Sequence, residues 1–155
     1  MPREKQIMKN VLLGSLLLTV ASGAFAFGEP GQWSSGWGQG VSEYTAVVGK
    51  QADLYIACSD SMPVSMTLTV DGKRYGSGEA KGFDLIIDAK EIATPYETGS
   101  RVGANNFLYA WDLLRKAKQI RARTADGKLV ELPVKHAAKA LPKTSDKNFP
   151  CSVEF

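Results

Sequence analysis

VSMTLTVDGKRYGSG, residues 64–78, decides the fold. Val64, Met66, Leu68 and Val70 alternate with Ser65, Thr67 and Thr69, so an extended backbone puts the apolar side chains on one face and the hydroxyls on the other. Such a strand needs a core on one side and water on the other, the situation of a strand in an antiparallel sheet. Asp71-Gly72 ends the alternation with a residue pair that favours a tight hairpin, and KRYGSG is its returning strand.

The same period extends outward. Upstream, VSEYTAVV (41–48) is a candidate first strand, followed by ADLYIACS (52–59), in which Leu54, Ile56 and Cys58 alternate with Asp53, Tyr55 and Ala57. Downstream, GFDLIID (82–88) turns Phe83, Leu85 and Ile87 inward. Residues 89–104, with Pro95, Gly99 and Gly103, read as a long irregular loop. Asn105 is then the expected N-cap of NNFLYAWDLLRKAK, whose Phe107, Ala110, Trp111, Leu114 and Ala117 form a helical stripe suited to lie on a sheet. QIRART and KLVELPV flank Ala125-Asp126-Gly127, a second hairpin signal. HAAKAL is a short helix ended by Pro142, and a polar tail leads to Cys151.

No repeat, linker or βαβ alternation appears. The expected fold is mainly β (α+β): an antiparallel β-sandwich or half-barrel with one amphipathic helix and a short C-terminal helix.

The N-terminus has the composition of an export leader. Lys9 supplies positive charge, residues 11–21 (VLLGSLLLTVA) are apolar, and Ala24-Phe25-Ala26 places small residues at the cleavage-determining positions. The expected organisation is a signal peptide over 1–26 and a single β-rich exported domain over 27–155. MKNVLLGSLLL, beginning at Met8, is already a complete signal, so Met8 is an alternative start. The apolar run is short for a spanning helix, and no later run is longer, so no membrane insertion is expected after leader removal.

Both cysteines, Cys58 and Cys151, fall in the expected mature part, and an exported pair with no third thiol is most simply one disulfide. It would fix the C-terminal tail to an early strand. The whole chain carries 19 Lys/Arg against 16 Asp/Glu; without the leader's three Lys/Arg and one Glu, 16 face 15. Such a balance argues against a nucleic acid partner. The charge is unevenly spread, since residues 29–97 hold ten acids against five Lys/Arg and residues 112–147 hold ten Lys/Arg against four acids.

The stretch LLRKAKQIRARTADGKLVELPVKHAAKALPKTSDKNFPC, residues 113–151, resembles the C-terminal part of small exported bacterial proteins of the invasion-associated locus B type. There a short helix precedes an Asp/Gly-Gly-Lys hairpin, an apolar strand and an Ala-Leu turn. Type VI secretion-associated periplasmic proteins have a similar order of elements. The resemblance implies a disulfide-pinned sandwich and a periplasmic or secreted location; it carries over no functional residue.

Chemistry-bearing residues are sparse. Nucleophilic triads need a base beside the nucleophile, and the only histidine, His136, stands at the start of the Ala-rich turn and reads as structural or exposed; with both thiols in a bridge, one His and scattered carboxylates do not make a metal-ligand set. No cofactor, metal or catalytic residue is expected. Asp84 and Asp88 share a strand face about 13 Å apart, wider than glycosidase carboxyl pairs, which leaves a carboxylate hydrolase the least favoured reading.

Binding candidates are clearer. GQWSSGWGQG (31–40) places Trp33 and Trp37 among four glycines, a loop whose rings either close an end of the sandwich or stack on a ligand. Tyr96 and Arg101 stand in the long loop, where recognition tends to concentrate. Arg121 and Arg123 alternate along one strand and suit an acidic partner. These features point to an exported, non-enzymatic binding protein acting on an envelope or secreted protein partner, such as a secretion or conjugation accessory, an inhibitor or an invasion-type factor. The alternative is a carbohydrate or peptidoglycan binder using Trp33 and Trp37.

Overall fold

The computed structural model describes residues 27–153; the expected leader lies outside the described residues. Nine strands form two antiparallel sheets. The first runs β1 (Gln32–Gly38), β2 (Val41–Val47), β3 (Ala52–Cys58), β4 (Ser65–Val70) and β5 (Lys73–Gly76) as a simple meander. The second comprises β6 (Phe83–Ile87), β7 (Lys90–Ile92), β8 (Ile120–Thr124) and β9 (Leu129–Leu132), in the spatial order β7-β6-β8-β9. Two helices, α1 (Arg101–Lys116) and α2 (Ala137–Ala140), complete the set.

The alternation read from the sequence sets which face is buried. Leu54, Ile56, Met66 and Leu68 of the first sheet share one apolar cluster with Phe83, Leu85, Ile87, Ile120 and Ala122 of the second. Phe107, Ala110, Trp111 and Leu114 of α1 join it, and the Trp111 ring meets Tyr44 of β2 edge-on at 5.0 Å. Burial of side chains of this size stabilises the fold by about 1.5–3 kcal/mol each. One core therefore holds both sheets and the helix.

Turn chemistry fixes the register. Asp71 (φ 48°) and Gly72 (φ 77°) form the expected tight hairpin between β4 and β5, and Gln39 (φ 53°) and Gly40 (φ 81°) do the same between β1 and β2. A third pair, Asp88 (φ 46°) and Ala89 (φ 65°), joins β6 to β7. The Asp88 carboxylate accepts the backbone N–H groups of Lys118 and Gln119, both at 2.9 Å, so the turn is fastened to the start of β8.

Three expectations require correction. GQWSSGWGQG is not a loop: seven of its residues pair in continuous register with β2 as an edge strand. Its glycines disguise it; the Phe27 ring lies on Gly36, where a Cβ would sit 2.6 Å from that ring and displace it. The helix begins at Arg101, with Ser100 rather than Asn105 as N-cap; the Ser100 hydroxyl accepts the Gly103 N–H at 3.0 Å. Its first turn buries only the small Ala104, with Arg101 and Val102 exposed, and so gives little periodic signal. Residues 89–104 also contain β7, too short for alternation to reveal.

The disulfide joins Cys58, the last residue of β3, to Cys151, with Cα atoms 4.6 Å apart. The tail reaches it by crossing α1, where Trp111 donates its indole N–H to the Pro142 carbonyl at 2.8 Å and Phe149 packs edge-on against the same ring. No helix among the described residues is long and apolar enough to cross a membrane.

Candidate functional site

The two tryptophans of β1 lie on the same side of the strand, four residues apart. Trp33 is buried opposite Ala46, and its indole N–H donates to the Pro133 carbonyl at 2.8 Å, so it closes the core. Trp37 lies opposite Ser42, beyond the end of the core, and is 74% exposed.

Trp37 borders a polar cleft of about 370 Å³ that also takes in Ser42, Asp60, Lys147, Asn148 and Phe149. The cleft follows from the disulfide, which brings the tail residues 147–150 beside the end of β3. A second, larger groove of about 790 Å³ lies next to it on the outer face of the first sheet, lined by Val41, Tyr55, Ala57, Met62 and Pro63. There the Tyr55 hydroxyl donates to Glu43 Oε1 at 2.6 Å, and burial together with that carboxylate pushes the phenol up to about 12. A third cleft, about 280 Å³, is lined by Asp60, Met62, Thr98, Gly99 and Val153. All three adjoin the segment 59–63, and Met62 within it is an exposed apolar side chain.

The other candidates sit elsewhere. Tyr96 folds back on the second sheet: its ring is 5.1 Å from that of Phe83, and its hydroxyl accepts the Phe83 N–H at 3.3 Å. Arg101 is exposed as the first residue of α1. Arg123 bridges Asp84 and Glu91 on the outer face of the second sheet, and the two carboxylates, Glu91 foremost, hold its guanidinium above the usual arginine range. Arg121 lies across from Glu131 and Ile86, with its Nε buried and without a hydrogen-bond partner among the described residues. None of these four lines the cleft beside Trp37.

Asp84 and Asp88 both have structural partners. Asp84 accepts the Thr94 N–H at 3.1 Å and pairs with Arg123, while Asp88 holds the start of β8. His136 is exposed in a left-handed backbone conformation just before α2. Among the described residues no group of three or more His, Cys, Asp or Glu is placed to hold a metal ion.

Sequence reasoning missed the segment 59–63 and the tail 147–150. A signal was available, since a Cys58–Cys151 bridge necessarily carries the residues flanking both cysteines to one place.

The family model YfjT matches residues 31–141, from the residue before β1 to the residue after α2. The chain belongs to the YfjT family. A relative, the uncharacterized protein YfjT of Escherichia coli (strain K12), is 29% identical over 128 residues, covering 76% of this chain and 82% of its own. No solved structure matches significantly. The YfjT match thus spans both sheets, Trp33 and Trp37, and ends before Lys147 and Cys151.

Proposed function

We propose that this YfjT-family chain is an exported, periplasmic or secreted, non-enzymatic binding protein that engages a protein partner in the envelope. Its contact surface is the end of the first sheet where Trp37, Met62 and the tail meet. The observation that carries the reading is the 74% exposure of Trp37 on a strand whose other tryptophan is buried. A large apolar ring held in water on a rigid element is unfavourable unless something covers it, and tryptophan is the residue most enriched at interface hot spots.

Export is supported by the leader-like residues 1–26, by the disulfide, which persists in oxidising compartments, and by the resemblance of residues 113–151 to exported invasion-associated locus B proteins. The test is a photo-crosslinking residue placed at position 37 in the exported chain. A discrete crosslinked envelope protein, absent when the crosslinker is moved to exposed Lys73 on β5, is the expected result. Equal or absent crosslinking at both positions refutes the reading.

A second reading is favoured by the polar groups beside Trp37. Asp60, Lys147 and Asn148 border the ring as hydrogen-bonding groups border a stacked sugar. A shift of tryptophan fluorescence with peptidoglycan fragments, lost in Trp37→Ala, would select it.

A further inference from the structure

The outer edge of β1 is only half used. Trp33 directs its backbone N–H away from β2 and donates it to the Lys135 carbonyl at 2.9 Å, so the turn before α2 takes up the first outward bond of the strand. At His136 the backbone turns left-handed (φ 64°) and the chain departs into α2. By the two-residue repeat of a strand, the N–H and C=O groups of Ser35 and Trp37 point the same way as those of Trp33. Gly38 and Val41 close the hairpin as a directly opposed pair, which likewise assigns the even-numbered residues to the ladder with β2. Outside the strand ladders, neither Ser35 nor Trp37 donates its backbone N–H to another backbone group among the described residues.

We infer that β1 receives an acidic, extended peptide from a protein partner as an additional strand along Ser35–Trp37, with Trp37 as its side-chain anchor. The inference rests on the proposed partner-binding role and specifies its mode. The edge already donates one backbone N–H outward at Trp33, to the Lys135 carbonyl, and the positions beyond it repeat that backbone geometry. Gly38 leaves the strand open on one face, Gly36 being covered there by the Phe27 ring, while Trp37 offers an apolar ring on the other for an alternate peptide side chain.

Charge sets the chemistry of the occupant. Lys135 and Lys139 are exposed where the chain's own segment leaves the edge, α2 packs beside β1, and exposed Lys147 borders the Trp37 cleft. None of the three makes an ion pair among the described residues. Asp60 is the opposing charge in that cleft. Three unpaired ammonium groups around one edge attract carboxylates and disfavour a second copy of this equally basic edge.

The test pans the oxidised full chain against displayed eight-residue peptides. Enriched sequences should alternate Asp or Glu with β-branched or aromatic residues. A synthetic enriched peptide should bind at least about tenfold more weakly to Ser35→Pro, to Trp37→Ala and to the double variant Lys139→Glu/Lys147→Glu. Proline at 35 removes only an outward N–H and leaves the ladder to β2 intact. If that variant fails to fold, methylating alternate backbone nitrogens of the peptide tests the same contact on the unaltered chain and should abolish binding. Enrichment without acidic residues, or binding indifferent to both Ser35→Pro and peptide methylation, overturns the inference. Concentration-dependent dimers lost in Ser35→Pro overturn it in favour of a second copy, and a glycan response unaffected by Ser35→Pro overturns it in favour of stacking. A partner crosslinked at residue 37 but insensitive to Ser35→Pro keeps the binding role and refutes strand addition.

Discussion

Trp33 and Trp37 project from the same side of one strand, yet the first is 2% exposed and the second 74%. The core ends between them. Trp33→Ala should therefore lose about 3–5 kcal/mol, as for other buried large-to-small changes, and leave the Pro133 carbonyl without its donor. Trp37→Ala should change stability by no more than about 0.5 kcal/mol. Urea unfolding of the two variants, followed by circular dichroism, checks the difference.

The Cys58–Cys151 bridge closes most of the described chain into a loop, a sequence separation of 93 residues. Chain entropy for a loop of that length gives about 4–5 kcal/mol. Reduction, or Cys58→Ser with Cys151→Ser, should lower the urea midpoint by the corresponding amount and free the tail from Trp111. Thiol titration of the native exported protein should find no reactive sulfhydryl.

Tyr55 should ionise only near pH 12, because burial and the Glu43 carboxylate both disfavour the phenolate. A phenol whose folded value lies above its unfolded value of 10.0 stabilises the fold fully below pH 10, and that contribution is lost as pH rises towards 12. Difference ultraviolet titration of wild type against Tyr55→Phe isolates this group. Glu43→Gln should bring its transition down while leaving it above the ordinary value, since burial is the larger cause.

The turn between β6 and β7 holds Ala89 at φ 65°, where a Cβ is unfavourable. Ala89→Gly should stabilise the protein by about 0.5–1 kcal/mol and raise the thermal midpoint. Asp88→Ala should instead cost about 1–2 kcal/mol, because two N–H groups at the start of β8 lose their acceptor. Scanning calorimetry on both variants measures the two signs.

Alternation made Leu54, Ile56, Met66, Leu68, Phe83 and Leu85 legible as core from composition along the chain alone, and Asp71-Gly72 fixed a register. The helix was legible from Phe107 onward because its large apolar side chains face the core, whereas its first turn buries only Ala104 and exposes Arg101 and Val102. β1 escaped notice because an edge strand needs little apolar side chain when its neighbour supplies the pairing, so glycine and serine are tolerated there. The two smaller clefts around residues 59–63 escaped for another reason: they join that segment to the tail about ninety residues on, a contact that follows from the cross-link and not from any local periodicity.

That cross-link also determines how the molecule answers to mechanical tension. The chain from β4 to α2, including the entire second sheet, lies between Cys58 and Cys151, so a pull on the two ends passes through the sulfur atoms and bypasses it. Only β1, β2 and β3 stand in the line of force. An unfolding motor or a traction experiment would draw out three strands from the oxidised molecule and then meet the sulfur link, the residues inside the ring bearing no tension even though their shared core has been opened.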